Sequence, residues 1–231
     1  MAALFALLLA GSLSGFEDTA DRVYDAGSRL GESPQSVVLA GGTVLSLLAR
    51  FTEPDGGCTG FMGEGLAGDL AGAAGPAFGI GVIAACPAVW ALGGITGEEG
   101  VEDTGRDLTE GLILTYGIVG ALKLGIERER PDGSDAMSFP SAHSAAAACV
   151  AAIIWERHGA AAGAPAAALA AFVALSRIHT GRHYPSDVVA GLAIGAACGM
   201  AMVEDHDEAG NGLGIRLGIG FDGNGAGVIL R

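Results

Sequence analysis

Six apolar runs organise the chain: residues 36–51, 77–97, 111–126, 141–157, 160–178 and 186–203. Each is rich in alanine, glycine and branched aliphatic residues, and polar or glycine-rich connections such as "TEPDGGCTG" and "TGEEGVEDTGRD" separate them. Alanine is the strongest helix former, and runs of this length exceed ordinary strands, so helices are expected. A weaker amphipathic piece at 63–74 is expected to lie across them. A bilayer-spanning helix needs about 20 apolar residues, within a range of about 17–25. Runs 77–97 and 160–178 meet that length, and the others sit at its lower edge. The expected fold is all-α: a six-helix up-and-down bundle, embedded in a membrane. Period-two alternation emerges only in the tail, where "IRLGIGFDGNGAGVIL" reads as a β-hairpin turning at Asp222-Gly-Asn-Gly.

The domain plan that follows is a signal peptide or anchor at 1–15, a polar linker at 16–34, the helical domain at 35–204, and a polar tail with the hairpin at 205–231. The opening "MAALFALLLAGSLSG" is a short apolar run ending in small residues, with Ser12 and Ser14 offering a cleavage site. Residues 16–34 are acidic and could equally form a surface helix. A leader of either kind places the protein in a cell envelope.

Charge narrows the function. The net charge is −14, which excludes a nucleic-acid partner, since phosphate-backbone binding requires a basic face. Only 12 residues are Lys or Arg, yet six of them fall between Lys123 and Arg182, and Lys123 is the only lysine. An acidic chain that gathers its positive charge into one segment is built to hold an anion there. The four cysteines, Cys58, Cys86, Cys149 and Cys198, have no CxxC or Cys/His metal spacing, and their separation fixes no disulfide pairing.

Three stretches carry chemistry. In "KLGIERERP", Lys123 and Arg130 are seven residues apart, two helical turns, so a helix would put them on one face. Pro131 then sends the chain into a loop. The ordinary alternative is an i, i+4 pair between Lys123 and Glu127. In "SFPSAHSAAAAC", Pro140 and Ser141 suit a helix start, whose free N–H groups form an anion site, but capping does not explain His143. In "SRIHTGRHYPSDVVAG", His183 and Asp187 flank Pro185. An aspartate bonded to one ring nitrogen fixes the tautomer and frees the other nitrogen as nucleophile or base. Arg177 arrives from the preceding segment. In an up-and-down bundle the three junctions fall at one end, so Lys123, Arg130, His143, Arg177, His183 and Asp187 would share one pole.

Lys-x6-Arg-Pro, Pro-Ser-x-His and Ser-Arg-x5-His-x3-Asp, in that order, resemble the three-part signature of the type 2 phosphatidic-acid phosphatase superfamily. The resemblance covers residues 111 to about 203. It implies that His183 attacks phosphorus and carries a phosphohistidine, that Asp187 orients His183, and that His143 protonates the leaving oxygen. It makes Lys123, Arg130, Ser141, Ala142 and Arg177 the phosphate-binding set, with no metal and no cofactor. The chain departs from the signature where Ala142 replaces a glycine, which would matter if the backbone there required positive φ.

The implied function is a metal-independent phosphomonoesterase acting on a lipid phosphate or diphosphate, at the periplasmic face of a bacterial cytoplasmic membrane. Its partners are then a phosphorylated lipid or small phosphate ester and the membrane. The alternatives are a soluble periplasmic acid phosphatase, a vanadate-dependent haloperoxidase, and a non-enzymatic bundle that only binds anions. His158 and His206 have ordinary readings as helix-end and solvated residues; His179 could line the pocket although its spacing does not require it, and Arg128 and Arg182 either extend the positive mouth or pair with nearby acids.

Overall fold

The computed structural model of the chain describes residues 17–54, 57–203, 217–222 and 225–230. The expected leader at 1–15, and His206, lie outside them. Six helical elements run through the described body: α1 (17–29), α2 (Gln35–Thr52), α3 (Leu66–Thr96), α4 (Glu99–Ile126), α5 (Ala142–His179) and α6 (Pro185–Val203). Two strands follow, β1 (Leu217–Asp222) and β2 (Gly225–Leu230), paired antiparallel with Leu217 opposite Leu230.

α5 is two rods. Gly159, at φ 72° and ψ −176°, breaks it in a conformation that favours glycine. The arms fold back on each other: a Cβ on Gly163 would lie 2.8 Å from the Trp155 Cα. Ala147 and Ala151 of the first arm pack with Ala170 and Val173 of the second. The start and end of α5 therefore lie at the same end of the molecule, as an up-and-down order requires. With the arms counted separately, the described residues form seven helices rather than the expected six.

The additional rod is α1. The expected linker at 16–34 is helical over 17–29 because its polar side chains have partners in the body: Arg22 bonds Asp107 and Glu110, and Thr19 bonds Glu110. For the same reason α4 starts at Glu99, inside the stretch expected to be a connection. Its buried acids meet Arg22 from α1 and Arg157 from α5. The weak piece at 63–74 belongs to α3, which bends by 47° between Leu66–Gly79 and Gly81–Thr96.

The close crossing of α5 and α6 sets the geometry of the pole. Gly191, Gly195 and Gly199 recur every turn of α6, and Cβ atoms there would lie 2.5, 1.9 and 2.6 Å from the carbonyl oxygens of Ser141, Ala145 and Cys149. Without side chains the two backbones approach directly, a packing mode common between helices in lipid. The contact fixes the first turn of α5 beside the first turn of α6, where the Ser141 N–H donates to the Asp187 carbonyl at 2.9 Å.

α2, α4, α5 and α6 are long and apolar enough to cross a membrane, and bent α3 qualifies if its halves count as one span. Large apolar side chains point outward along them, including Leu45, Leu48 and Phe51 on α2, Ile83 and Ile95 on α3, and Ile113 and Leu124 on α4. The core itself is built from small residues around Val119, Cys149, Ile153 and Cys198. All four cysteines are free.

Candidate active site

α4 ends where Glu127 takes the left-handed conformation at φ 47°, its N–H closing on the Lys123 carbonyl. This end changes two expectations. Arg130 is not on the helix, so a shared helical face is not what brings it to Lys123; a loop carries it instead. The i, i+4 pair also fails to form, because Glu127 turns outward while the Lys123 ammonium donates to the Met137 carbonyl at 2.5 Å.

His183 is 2 % exposed. Its Nδ1 lies 2.7 Å from the Ser138 carbonyl, which can only accept, so the proton sits on Nδ1. Nε2 then keeps its lone pair and faces Arg130 Nη1 at 3.2 Å. Asp187 Oδ2 lies farther off, 3.8 Å from Nδ1. The sequence reading put Asp187 directly on the ring. In the structure the Ser138 carbonyl takes that place, and Asp187 acts as a fully buried charge behind it. Asp187 is tied by the Ser138 hydroxyl at 2.5 Å, by the Tyr184 N–H at 2.9 Å and by Arg128 at 2.5 Å. Burial lowers the basicity of His183 below the usual histidine range; the charges of Arg130 and Lys123 add to this, and Asp187 opposes it.

His143 occupies the first turn of α5, within electrostatic reach of Arg177, His183 and Arg130. Ala142 precedes it, and its backbone does not have the positive φ that would call for glycine. The Ser141 hydroxyl is fully buried and turned into its own helix, where it meets the Ser144 N–H at 3.5 Å and accepts from the Ser144 hydroxyl at 3.0 Å. It therefore stands as a helix cap rather than as a group facing the pole.

Arg177, 6 % exposed, reaches across to α3. A Cβ on Gly75 would sit 1.7 Å from its Nη1, and one on Gly79 would sit 2.7 Å from His143 Nε2. These glycines, one helical turn apart, let the bent α3 close over both side chains. Only their spacing of four in "GPAFG" hinted at this.

Charge is paired unevenly here. Arg130 bonds Asp135, Arg182 bonds Asp132, and Arg128 bonds both Glu53 and Asp187. Among the described residues, no carboxylate comes within ion-pair distance of Lys123 or Arg177, and the buried Arg177 Nε has no hydrogen-bond partner. Two cations without an ion-paired carboxylate, each within electrostatic reach of Arg130 beside the His183 lone pair, can stabilise a bound anion. His179 serves the framework, its Nδ1 accepting from the Met62 N–H. Arg182 is an ion-paired surface residue, and His158 meets the Thr104 hydroxyl far from this pole. Among the described residues no group of three or more His, Cys, Asp or Glu is placed to hold a metal.

The sequence reading missed Glu53, Ser138, Gly75 and Gly79, and gave Arg128 no definite place. Apart from the spacing of the two glycines, each acts through contacts that no local pattern records.

The model of the PAP2 superfamily matches residues 105–210, the stretch that holds all the histidines and cations just described. Lipid A 1-phosphatase of Porphyromonas gingivalis is 38% identical over 92 residues, covering 38% of this chain and 21% of that protein. Decaprenylphosphoryl-5-phosphoribose phosphatase of Mycobacterium tuberculosis is 36% identical over 99 residues, covering 38% of this chain and 54% of that protein. The match thus spans about half or less of these relatives' length. The first transmembrane PAP2 type phosphatidylglycerolphosphate phosphatase from Bacillus subtilis has a solved structure of the same fold. Its TM-score is 0.53 at 20% identity, over 86% of this chain and 96% of that one. Residues 105–210, a little under half of this chain, are thus similar to the PAP2 superfamily.

Proposed function

We propose that this protein is a membrane-embedded phosphatase that hydrolyses a lipid phosphate or diphosphate through a phosphohistidine on His183. The observation that carries the reading is the setting of His183: Nδ1–H is held by the Ser138 carbonyl and Nε2 points toward the cations. The Nε2 lone pair attacks phosphorus, the bond from phosphorus to the leaving oxygen breaks, and His143 supplies the proton that oxygen needs. His143 then takes a proton from water, the water oxygen attacks phosphorus, and the phosphorus–nitrogen bond breaks to release inorganic phosphate. Lys123, Arg130 and Arg177, with the N–H groups at the start of α5, hold the phosphoryl oxygens. Phosphoryl transfer is governed by positioning and charge stabilisation, which fixed cations supply. Arg130 must turn from Nε2 to the incoming oxygens for attack to occur.

Membrane embedding is supported by the outward apolar faces of α2 to α5. The polar pole then lies at one interface, within reach of a lipid headgroup, and the leader-like opening favours the outer side of the membrane. That the curated relatives are named as phosphatases of lipid-linked substrates supports the same substrate class.

The test is phosphate release by the purified chain, in detergent and EDTA, from a long-chain lipid phosphate and from p-nitrophenyl phosphate. The reading expects turnover of both, with the lipid preferred, and a trapped phosphoenzyme that is acid-labile and base-stable. A chain that binds phosphate and hydrolyses neither would be an anion-binding bundle instead.

A further inference from the structure

Behind Asp187 the structure holds a chain of charges. Arg128 Nη1 donates to Asp187 Oδ1 at 2.5 Å and to the Ser186 hydroxyl at 2.7 Å, while Nη2 donates to Glu53 Oε2 at 2.8 Å. Glu53 Oε1 accepts the Ser186 N–H at 2.6 Å. The guanidinium lies 4.0 Å from the centre of the Tyr184 ring. The Arg128 and Glu53 side chains are only 13 % and 2 % exposed, and Asp187 is fully buried. Glu53 caps the C-terminal end of α2 and belongs to none of the three motifs.

Counting charge gives the arrangement a purpose. An arginine bonded to Asp187 alone would cancel the negative charge that His183 needs behind it when its ring becomes cationic on attacking phosphorus. Glu53 supplies a second negative charge, so the buried groups Glu53, Arg128 and Asp187 together carry a net −1. Arg50 also reaches Glu53 Oε2, at 3.4 Å, but its side chain is 60 % exposed and its charge is screened by solvent. Burial works against ionisation of Glu53, but the hydrogen bonds from Ser186 and the bond and charge of Arg128 outweigh it, and hold its carboxyl below the usual carboxylate range. The carboxylate is therefore charged at neutral pH.

We propose that Glu53 and Arg128 are a neutral positioning pair, which fixes Asp187 through Arg128 while Glu53 preserves the full negative charge of Asp187 for His183. The proposal rests on the reading of His183 as the nucleophile. Neither Glu53 nor Arg128 touches the substrate. Arg128 aims the carboxylate, and Glu53 keeps Arg128 from quenching it. α2 thereby contributes to chemistry carried by α4, α5 and α6.

The opposite signs of the two side chains provide the test. The groups facing His183 are Asp187 from α6, Arg130 and Lys123 from α4 and its loop, and His143 from α5; all remain in each variant. Removing the negative charge in Glu53→Gln disfavours the imidazolium, so the His183 pKa falls. Removing the positive charge in Arg128→Gln favours it, so the pKa rises. Each shift should be on the order of half a pH unit across a partly buried path. The double variant should titrate near wild type, and Glu53→Asp, which keeps the charge, should match wild type.

His183 is read by NMR on the full chain in detergent, with histidines labelled at Cε1 and the His183 resonance assigned by its loss in His183→Ala. This titration does not depend on turnover. If the wild type hydrolyses no phosphate ester, the function fails while the electrostatic claim is still decided. In an active enzyme the acid limb of kcat/KM should follow the same order, and Glu53→Gln should lower kcat roughly tenfold with KM for p-nitrophenyl phosphate unchanged. Shifts of the same sign in both single variants, or no shift in either, would overturn the proposal, because a purely structural role moves stability and not the direction of titration. Either single variant decides the matter if the other does not fold.

Discussion

The two ends of α4 are both built from arginines and carboxylates, yet they are different devices. Near its start, Asp107 and Glu110 are completely buried and face Arg22 and Arg157 at 2.5–2.6 Å. Two negative charges meet two positive ones. About 24 Å farther along the helix, by its rise per residue, Lys123 opens the other pole. There Glu53, Asp132, Asp135 and Asp187 engage Arg128, Arg130 and Arg182, and Lys123 and Arg177 are left without a carboxylate. Composition cannot separate the two clusters, since both read as a few arginines among acids. Pairing does. A balanced buried cluster joins helices, whereas one with surplus positive charge is incomplete until an anion arrives.

That contrast can be broken by substitution. The largest expected effect is at the histidine that only the second cluster contains: His183→Ala should lower turnover about 10⁴-fold or more per folded molecule, far beyond the loss of stability that follows from removing a buried ring and its bond to Ser138. At the balanced cluster, Asp107→Asn should leave Arg22 and Arg157 under-compensated and cost about 3–5 kcal/mol of stability, as removal of one partner from a buried pair does. Activity per folded molecule should not change. Arg177→Ala should do the reverse, losing about 10²–10³ in kcat as one oxyanion donor is removed, with stability held or improved because a buried charge without a carboxylate is gone. If Asp107→Asn lowered kcat without lowering stability, the division between the two ends would fail. The smallest effect is at Ser141. With its hydroxyl turned into the helix, Ser141→Ala should cost about 1 kcal/mol of stability and little activity. A hundredfold loss would restore Ser141 to the phosphate site.

The parts legible in the sequence were those whose determinants are local. Runs of apolar residues located α2 and α6 to within a residue, and the flexible Gly159 separated the two arms of α5. The three motifs located the histidines and free cations because their spacing is set by helix ends. The start of α4 was illegible because "GEEGVEDTGRD" resembles a connection until its acids meet Arg22, 85 and 88 positions away. Glu53 and Gly79 escaped for the same reason: one acts on Arg128, 75 positions on, and the other on His143 across a helix crossing. Asp187 was placed in the right neighbourhood with the wrong contact, since the Ser138 carbonyl competes for the same ring nitrogen.

Lys123 offers the most direct test of the central claim, that unpaired positive charge at this pole binds the phosphoryl group. It is the only lysine in the chain, so an amine-specific acylating reagent has one side-chain target. Labelling of Lys123 is followed by mass spectrometry alongside hydrolysis of p-nitrophenyl phosphate, with and without orthovanadate bound first. The account predicts that activity is lost in proportion to acylation of Lys123, and that vanadate slows both together. A protein fully acylated at Lys123 that remains active, with labelling indifferent to vanadate, would contradict it.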